Sequence, residues 1–171
     1  MLILLTNDDG IHSAGLQALA DEMQSLGRVV IVAPDRERSA VGHALTLHAP
    51  LRAEEILTDR WAVSGTPTDA VSLGIHGLLK EKPALVVSGI NKGANMGDDL
   101  TYSGTVAAAM EATLMGVPAV AISLASKEFS YDNFRSAAAV ARQMAETVLI
   151  PARTVTAPNT LPRDPFDHRE H

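Results

Sequence analysis

At 171 residues the chain has the length of one ordinary domain, and a fold of this size buries roughly 70% of the surface that its unfolded chain exposes. A hydrophobic fraction of 46%, a charged fraction of 20% and near-average glycine and proline exclude a collagen-like or wholly disordered chain, and the absence of cysteine excludes disulfides and thiolate metal sites and fits a reducing compartment. A net charge of -6 opposes bulk attraction to duplex nucleic acid or an anionic membrane, and no segment reads as a signal peptide or membrane span, so a cytoplasmic protein is expected.

Residues 2–5 form a short, unbroken apolar run, the pattern of a strand buried on both faces of a parallel sheet. After the polar stretch 6–10, a helix is expected behind Ser13. Leu16, Leu19, Ala20 and Met23 recur at three and four, and Gly27 is placed to end it. Residues 28–33 give a second apolar strand closed by Pro34, completing a βαβ unit. The stretch 35–61 is less periodic and reads as a long loop with short strands at 44–47 and 60–63. At Thr66 a hydroxyl, a following proline and Asp69 three residues on predict a capped helix, with Val71, Ile75, Leu78 and Leu79 on one face. A buried strand at 84–87, a helix at 106–115 ended by Gly116 and a strand at 118–122 follow. Phe134, Ala137, Ala141, Met144 and Val148 mark a last helix by their spacing. Alternation of strands and helices predicts a three-layer, doubly wound α/β fold with a mostly parallel, Rossmann-like sheet. From Pro151 onward the last 21 residues contain 4 of the 9 prolines and no glycine. That composition predicts a tail, over 150–171, that does not order on its own unless a partner chain covers it.

In open α/β sheets ligands bind beyond the carboxyl ends of the strands, and this rule selects the candidate residues. Asn7, Asp8 and Asp9 follow the first strand; Asp35, Arg36 and Ser39 follow the second; Asn91, Lys92 and Asn95 follow the strand at 84–87. Two adjacent carboxylates repel one another unless a cation relieves them, and oxygen donors without cysteine or paired histidine suit Mg²⁺ or Mn²⁺ better than zinc. Taken alone, Asp8-Asp9-Gly10 is also an ordinary turn, Ser39 a loop hydroxyl and Asn91 a turn former. A second constellation is Ser103-Gly104-Thr105, opening a helix whose unpaired N–H groups and positive dipole end favour an anion. The loop before it carries Gly89, Gly93 and Gly97 with Asn91 and Asn95, and glycines permit close approach of backbone to ligand. There is no P-loop and no dinucleotide glycine fingerprint, which disfavours an NAD-type dehydrogenase. His12, two residues past Gly10, reads as a solvent-facing or capping histidine unless it contacts a ligand; His43, His48 and His76 have no partner at informative spacing, and Lys92 reads as an exposed loop lysine unless it neutralises phosphate.

Five segments in order resemble the SurE survival-protein nucleotidases: LTNDDGIHSAGL (5–16), VVIVAPDRERSAVGHALTL (29–47), VSGTPTDAV (63–71), VSGINKGANMGDDLTYSGTVAAAMEA (87–112) and GVPAVAIS (116–123). The resemblance spans about residues 1–149, and the run 87–112 is highly specific. It implies a SurE-like domain over 1–149 with a metal-dependent phosphatase activity. The substrates would be nucleoside 5′-monophosphates, often 3′-monophosphates, and in some members short polyphosphate. By position, one divalent ion, Mg²⁺ or Mn²⁺, would be held by Asp8, Asp9, Ser39 and Asn91, the two aspartates acting in catalysis through it. The phosphate would be held by Asn95, Ser103, Gly104 and Thr105, and a metal-activated water would be the nucleophile. A homodimer or homotetramer is implied, with no duplex nucleic acid and no membrane as partner. SurE-like proteins continue past the last matched helix into a further strand, often Asn-Val-Asn-Val-Pro-like, and a C-terminal extension. Residues 150–171 depart from that pattern, which leaves a nucleotide- or phosphate-binding module with impaired catalysis as the alternative.

Overall fold

Aliphatic runs that alternate between two apolar environments form the strands. The computed structural model describes residues 1–39 and 41–154. Its six-stranded sheet has the order β3-β4-β2-β1-β5-β6, from β1 (Leu2–Thr6), β2 (Arg28–Pro34), β3 (Ala53–Leu57), β4 (Arg60–Val63), β5 (Leu85–Lys92) and β6 (Ala119–Leu124). All pairings are parallel except β3 with β4. All five residues of central β1 are buried, with Ile3 and Leu5 facing one layer and Leu2 and Leu4 the other. Helices α1 (Ala14–Met23) and α5 (Tyr131–Thr154) cover the first face, where Leu16, Leu19, Met23, Phe134, Ala138 and Ala141 meet Ile31, Leu85 and Val120. Helices α2 (Pro67–Leu73) and α4 (Gly104–Leu114), the latter preceded by the single turn α3 (Asp99–Tyr102), cover the second through Ala70, Val71, Ala108 and Ala112. Small residues on α4 and α5 let helix and sheet approach closely, which is how a chain with three phenylalanines, two tyrosines and one tryptophan fills its interior. The expected three-layer α/β fold is the observed one.

The local signals at helix starts are realised. Ser13 caps α1, its Oγ accepting from Leu16 N at 3.3 Å. Thr66 and Asp69 form a reciprocal capping box at α2, and Ser103 caps α4 by accepting from Val106 N at 3.2 Å. Gly116, at φ +70, follows the last residues of α4 as expected.

Five expectations are corrected. Residues 44–47 do not form a strand. Thr46 donates both its N–H and its hydroxyl to the Asp69 carboxylate, at 2.9 and 2.6 Å, so the segment is tied to the start of α2, and the short strand is β3 instead. Gly27 does not end α1, which is capped at Gln24; a Cβ at Gly27 would stand 2.5 Å from the Met1 carbonyl oxygen, so its role is close passage beside β1. Met144 is 44% exposed, and the buried stripe of α5 runs through Phe134, Ala138, Ala141, Ala145 and Leu149. Strand β5 continues past Val87 to Lys92. After a register shift, Asn91 pairs with Ser123 and Lys92 with Leu124, because ladder hydrogen bonds are made by backbone and do not require apolar side chains. Helix α5 runs on to Thr154, beyond the expected start of the tail at residue 150, and residues 155–171 lie outside the described residues.

Candidate active site

The parallel order brings the carboxyl ends of β1, β2 and β5 to one rim of the sheet. A cleft of about 280 Å³ opens there, and Asp8, Ser39, Asn91, Asn95 and Ser103 all line it, joined by Lys92, Asp99 and Tyr102. Six of the selected residues do not line this cleft: Asn7 is fully buried, Asp35 and Arg36 form an ion pair with each other at 2.8 Å, and Asp9, Gly104 and Thr105 lie beside it. Asp9 borders an adjoining hollow, and Gly104 and Thr105 stand behind Asp8.

Asp8 is 4% exposed and Thr105 is fully buried, and the Thr105 hydroxyl donates to Asp8 Oδ1 at 2.6 Å. Helix α4 can reach β1 this closely because Gly104 has no side chain: a Cβ there would stand 3.0 Å from Asp8 Cβ and 3.2 Å from Asp8 Oδ2. Asp9 Oδ2 accepts the backbone N–H of Lys92 at 3.0 Å, which links β1 to the end of β5. Gly10 completes the turn at φ +95, where a Cβ would meet the Arg36 carbonyl carbon at 2.9 Å.

Burial pushes both carboxyls above the ordinary carboxylate range. At Asp8 the hydroxyl of Thr105 and the backbone N–H groups of Asp8 and Thr105 oppose the rise, while the charge of Glu37 adds to it. At Asp9 the Lys92 N–H opposes it, and the charges of Asp8 and Glu37 add to it. Among the described residues, neither carboxylate has a Lys, Arg or His nitrogen within 4 Å. Two adjacent negative charges, one buried and one half-buried, with no cationic side chain within 4 Å repel one another and are favourable around a cation.

The donor chemistry fits a hard divalent ion. A carboxylate offers about four acceptor positions, so the bonds above leave capacity on both aspartates. Asn91 donates its Nδ2 to the Gly93 carbonyl at 2.9 Å, a bond that does not use Oδ1. Ser39, an exposed residue, donates to Glu37 Oε1 at 2.7 Å, which leaves the lone pairs of its hydroxyl. No group of three or more histidine, aspartate or glutamate side chains converges among the described residues, so any ion here relies on two carboxylates and neutral oxygens.

Asn95 sits across the cleft, fixed by donating Nδ2 to Ser123 Oγ of β6 at 2.7 Å. Ser103 is 6% exposed and belongs to both the cleft wall and the cap of α4, so the positive end of an eleven-residue helix faces the same space as Asn95.

Glu37 and Arg38 escaped the strand-end selection, and Asn7, which it included, takes a role that it did not indicate. Asn7 is fully buried and donates Nδ2 to the Gly10 carbonyl and to Ser13 Oγ, at 3.0 and 2.7 Å, bracing the turn that carries both aspartates. Its position beside Asp8 was visible, but its inward direction was not. Glu37 adds negative charge near both aspartates. Arg38 donates its backbone N–H to the Asp8 carbonyl at 2.7 Å and its Nη2 to the Ser64 carbonyl at 2.9 Å, tying the loop after β2 to the rim. No spacing rule singles out either one.

The family model described as "Survival protein SurE" matches residues 3–164. The chain belongs to the SurE family. It is 65% identical over 148 residues to the 5′-nucleotidase SurE of Syntrophotalea carbinolica, covering 86% of this chain and 59% of that protein. The 5′-nucleotidase SurE of Geobacter sulfurreducens is 59% identical over 166 residues, 97% of this chain and 60% of that protein. The crystal structure of the SurE protein from Aquifex aeolicus superposes with a TM-score of 0.82 at 48% identity, covering 87% of this chain and 60% of that one. This SurE chain therefore spans about three fifths of the length of these relatives. No helix among its described residues is long and apolar enough to cross a membrane.

Proposed function

We propose that the chain is a metal-dependent phosphomonoesterase, a 5′-nucleotidase that hydrolyses nucleoside 5′-monophosphates to nucleoside and phosphate. Nucleoside 3′-monophosphates and short polyphosphate are further substrates of the same site. The observation that carries this reading is the single cleft onto which Asp8, Ser39, Asn91, Asn95 and Ser103 all open, from four separate stretches of chain. The names of the matched relatives support it.

In this reading Asp8, Asp9, Ser39 and Asn91 hold one divalent ion, Mg²⁺ or Mn²⁺. Such an ion supplies Lewis-acid polarisation of the phosphoryl group and activation of water. Asn95, Ser103 and the backbone start of α4 at Gly104 and Thr105 receive the phosphate, whose equatorial oxygens gain charge stabilisation from the helix end. The Thr105 side chain is turned to Asp8, so its hydroxyl serves to orient that carboxylate. Net charge and the absence of cysteine support a cytoplasmic protein that does not act on duplex nucleic acid. The family resemblance supports a homodimer or homotetramer, which sedimentation would distinguish.

Phosphate release from AMP and GMP with Mg²⁺ or Mn²⁺, assayed with and without chelator, tests the activity. Release that needs the metal supports the reading, whereas release that survives chelation, or no release at all, refutes it.

A further inference from the structure

The sheet has two edge strands, and they are built unlike one another. Edge strand β3 carries Glu54 and Glu55, both exposed, and its pairing with β4 is broken by a register shift. Charge and irregularity keep an edge strand from pairing with another chain. Edge strand β6 carries no such protection: its six residues, AVAISL, include no charge and no proline, and among the described residues its one neighbour is β5. The extra residue in that pairing lies on the inner side, in β5. The carbonyl of Pro118 accepts from Val86 N at 2.9 Å and that of Leu124 from Gly93 N at 3.2 Å, so the backbone at both positions turns toward β5. Backbone direction alternates along a strand, which turns the N–H and C=O groups of Ala119, Ala121 and Ser123 away from the sheet.

Helix α5 continues this open side. It packs on β5, on β6 and, by one flank, on α1, where Tyr131 Oη donates to Asp21 Oδ2 at 2.5 Å and Arg142 Nε stands 3.4 Å from Glu22 Oε2. At about 100° per residue, Val140 and Met144 lie on the flank turned away from α1, toward the β6 edge. They are 53% and 44% exposed, and Ala137 and Val148 join them to the core. The apolar sector of α5 is thus wider than its buried stripe.

We propose that β6 and this flank of α5 form a two-fold interface with a second copy of this chain, β6 pairing antiparallel with its counterpart into one continuous sheet. A two-fold axis perpendicular to the sheet at Ala121 pairs Ala121 with its own copy and Ala119 with Ser123. All three side chains are small and uncharged, so the two edges meet without repulsion. The same axis fixes the helices. Neighbouring strands are about 4.8 Å apart, so a helix seated over β5 and β6 stands about one strand spacing from the axis. The two α5 helices are then about 10 Å apart, an ordinary distance for packed helices, and Val140 and Met144 of each face the other. The competing occupant is the chain's own stretch after α5, but Pro158, Pro162 and Pro165 lack the N–H that a ladder strand donates. This interface is that of the homo-oligomer proposed above, and it does not depend on the chemistry of the cleft.

Sedimentation equilibrium of the full chain, combined with amide hydrogen exchange, is the test. Wild type should sediment at twice the 18.1 kDa of the chain, or at a multiple of that pair, with the amides of Ala119, Ala121 and Ser123 protected. Ala121→Pro removes an outward N–H and leaves the ladder with β5 intact, and Met144→Lys sets two like charges against each other across the axis. Each should halve the mass. If Ala121→Pro fails to fold, Met144→Lys and the wild-type exchange decide. A mass unchanged by the substitutions, or freely exchanging Ala119 and Ala121 amides in a wild-type oligomer, overturns this interface and leaves the homo-oligomer standing. A wild-type monomer overturns both, whatever covers the edge, and leaves the reading of the cleft untouched.

Discussion

The two sides of the cleft are built in opposite ways. On one side Asp8, Ser103 and Thr105 are at most 6% exposed and stand where β1 meets the start of α4. On the other, Ser39 leads into a loop whose Leu45 and Leu47 are 48% and 78% exposed, with no strand or helix of its own. That loop is tied down by a few side-chain bonds: His43 Nε2 to Glu111 Oε2 at 2.6 Å, Thr66 Oγ1 to the Ala44 carbonyl at 2.7 Å, and Thr46 to Asp69. Interior geometry is held by packing, which no single substitution on the loop removes, whereas each loop tether makes up a large share of what holds Ser39 in place. Substitutions on the two sides should therefore fail differently, the first in turnover and the second in stability.

The largest effect is expected at Asp8. Asp8→Asn keeps shape but removes charge, and metal-dependent turnover on AMP should fall to background while the melting temperature in chelator stays the same or rises, since a buried, unpaired charge has been removed. Retained turnover would show that this carboxylate does not hold the ion. Thr105→Val should lower turnover by about 10- to 100-fold, the usual consequence of freeing a ligand from the group that orients it. The loss should appear as weaker Mg²⁺ dependence, and an unchanged metal titration would remove Thr105 from the site.

On the loop side, Asp69→Ala removes the α2 capping box and both Thr46 bonds together, for about 1–2 kcal/mol of stability. Melting should drop by about 2–8 °C, with activity recovering at saturating metal. A melting temperature equal to wild type would mean that the tether carries no load. The smallest effect is in pH. Burial holds the Asp8 and Asp9 carboxyls above 3.8, so the folded, metal-free protein binds more protons than the unfolded chain between about pH 4 and those raised values. These two groups therefore lend stability in acid that is lost as pH rises through their folded pKa. Added Mg²⁺ competes with the same protons, so the rise in melting temperature that it causes should shrink as pH falls through that window. A rise that does not depend on pH would place the ion elsewhere.

Much of this site was legible from chain order alone. Apolar runs ending in Asn7-Asp8-Asp9 and in Asn91-Lys92 place polar side chains at strand ends, and the parallel topology follows from alternating elements, so convergence on one rim was expected. Three things were not legible. That β5 extends to Lys92 depends on backbone pairing with β6, which side-chain polarity conceals. That Thr105 turns to Asp8 depends on α4 passing within contact of β1 at Gly104, a relation between residues 97 positions apart. That 44–47 is a tethered loop depends on Asp69 being buried with its carboxylate directed at Thr46.

By itself, the sequence determined the α/β alternation, the helix caps at Ser13, Thr66 and Ser103, and the residue types at the rim, because each rests on interactions within a few residues or on periodic burial. Tertiary structure alone decided which of those rim groups share a cleft, which carboxylates are desolvated, and which strands stand at the edges of the sheet. Those properties come from distances between segments far apart in the chain, and no local pattern records them.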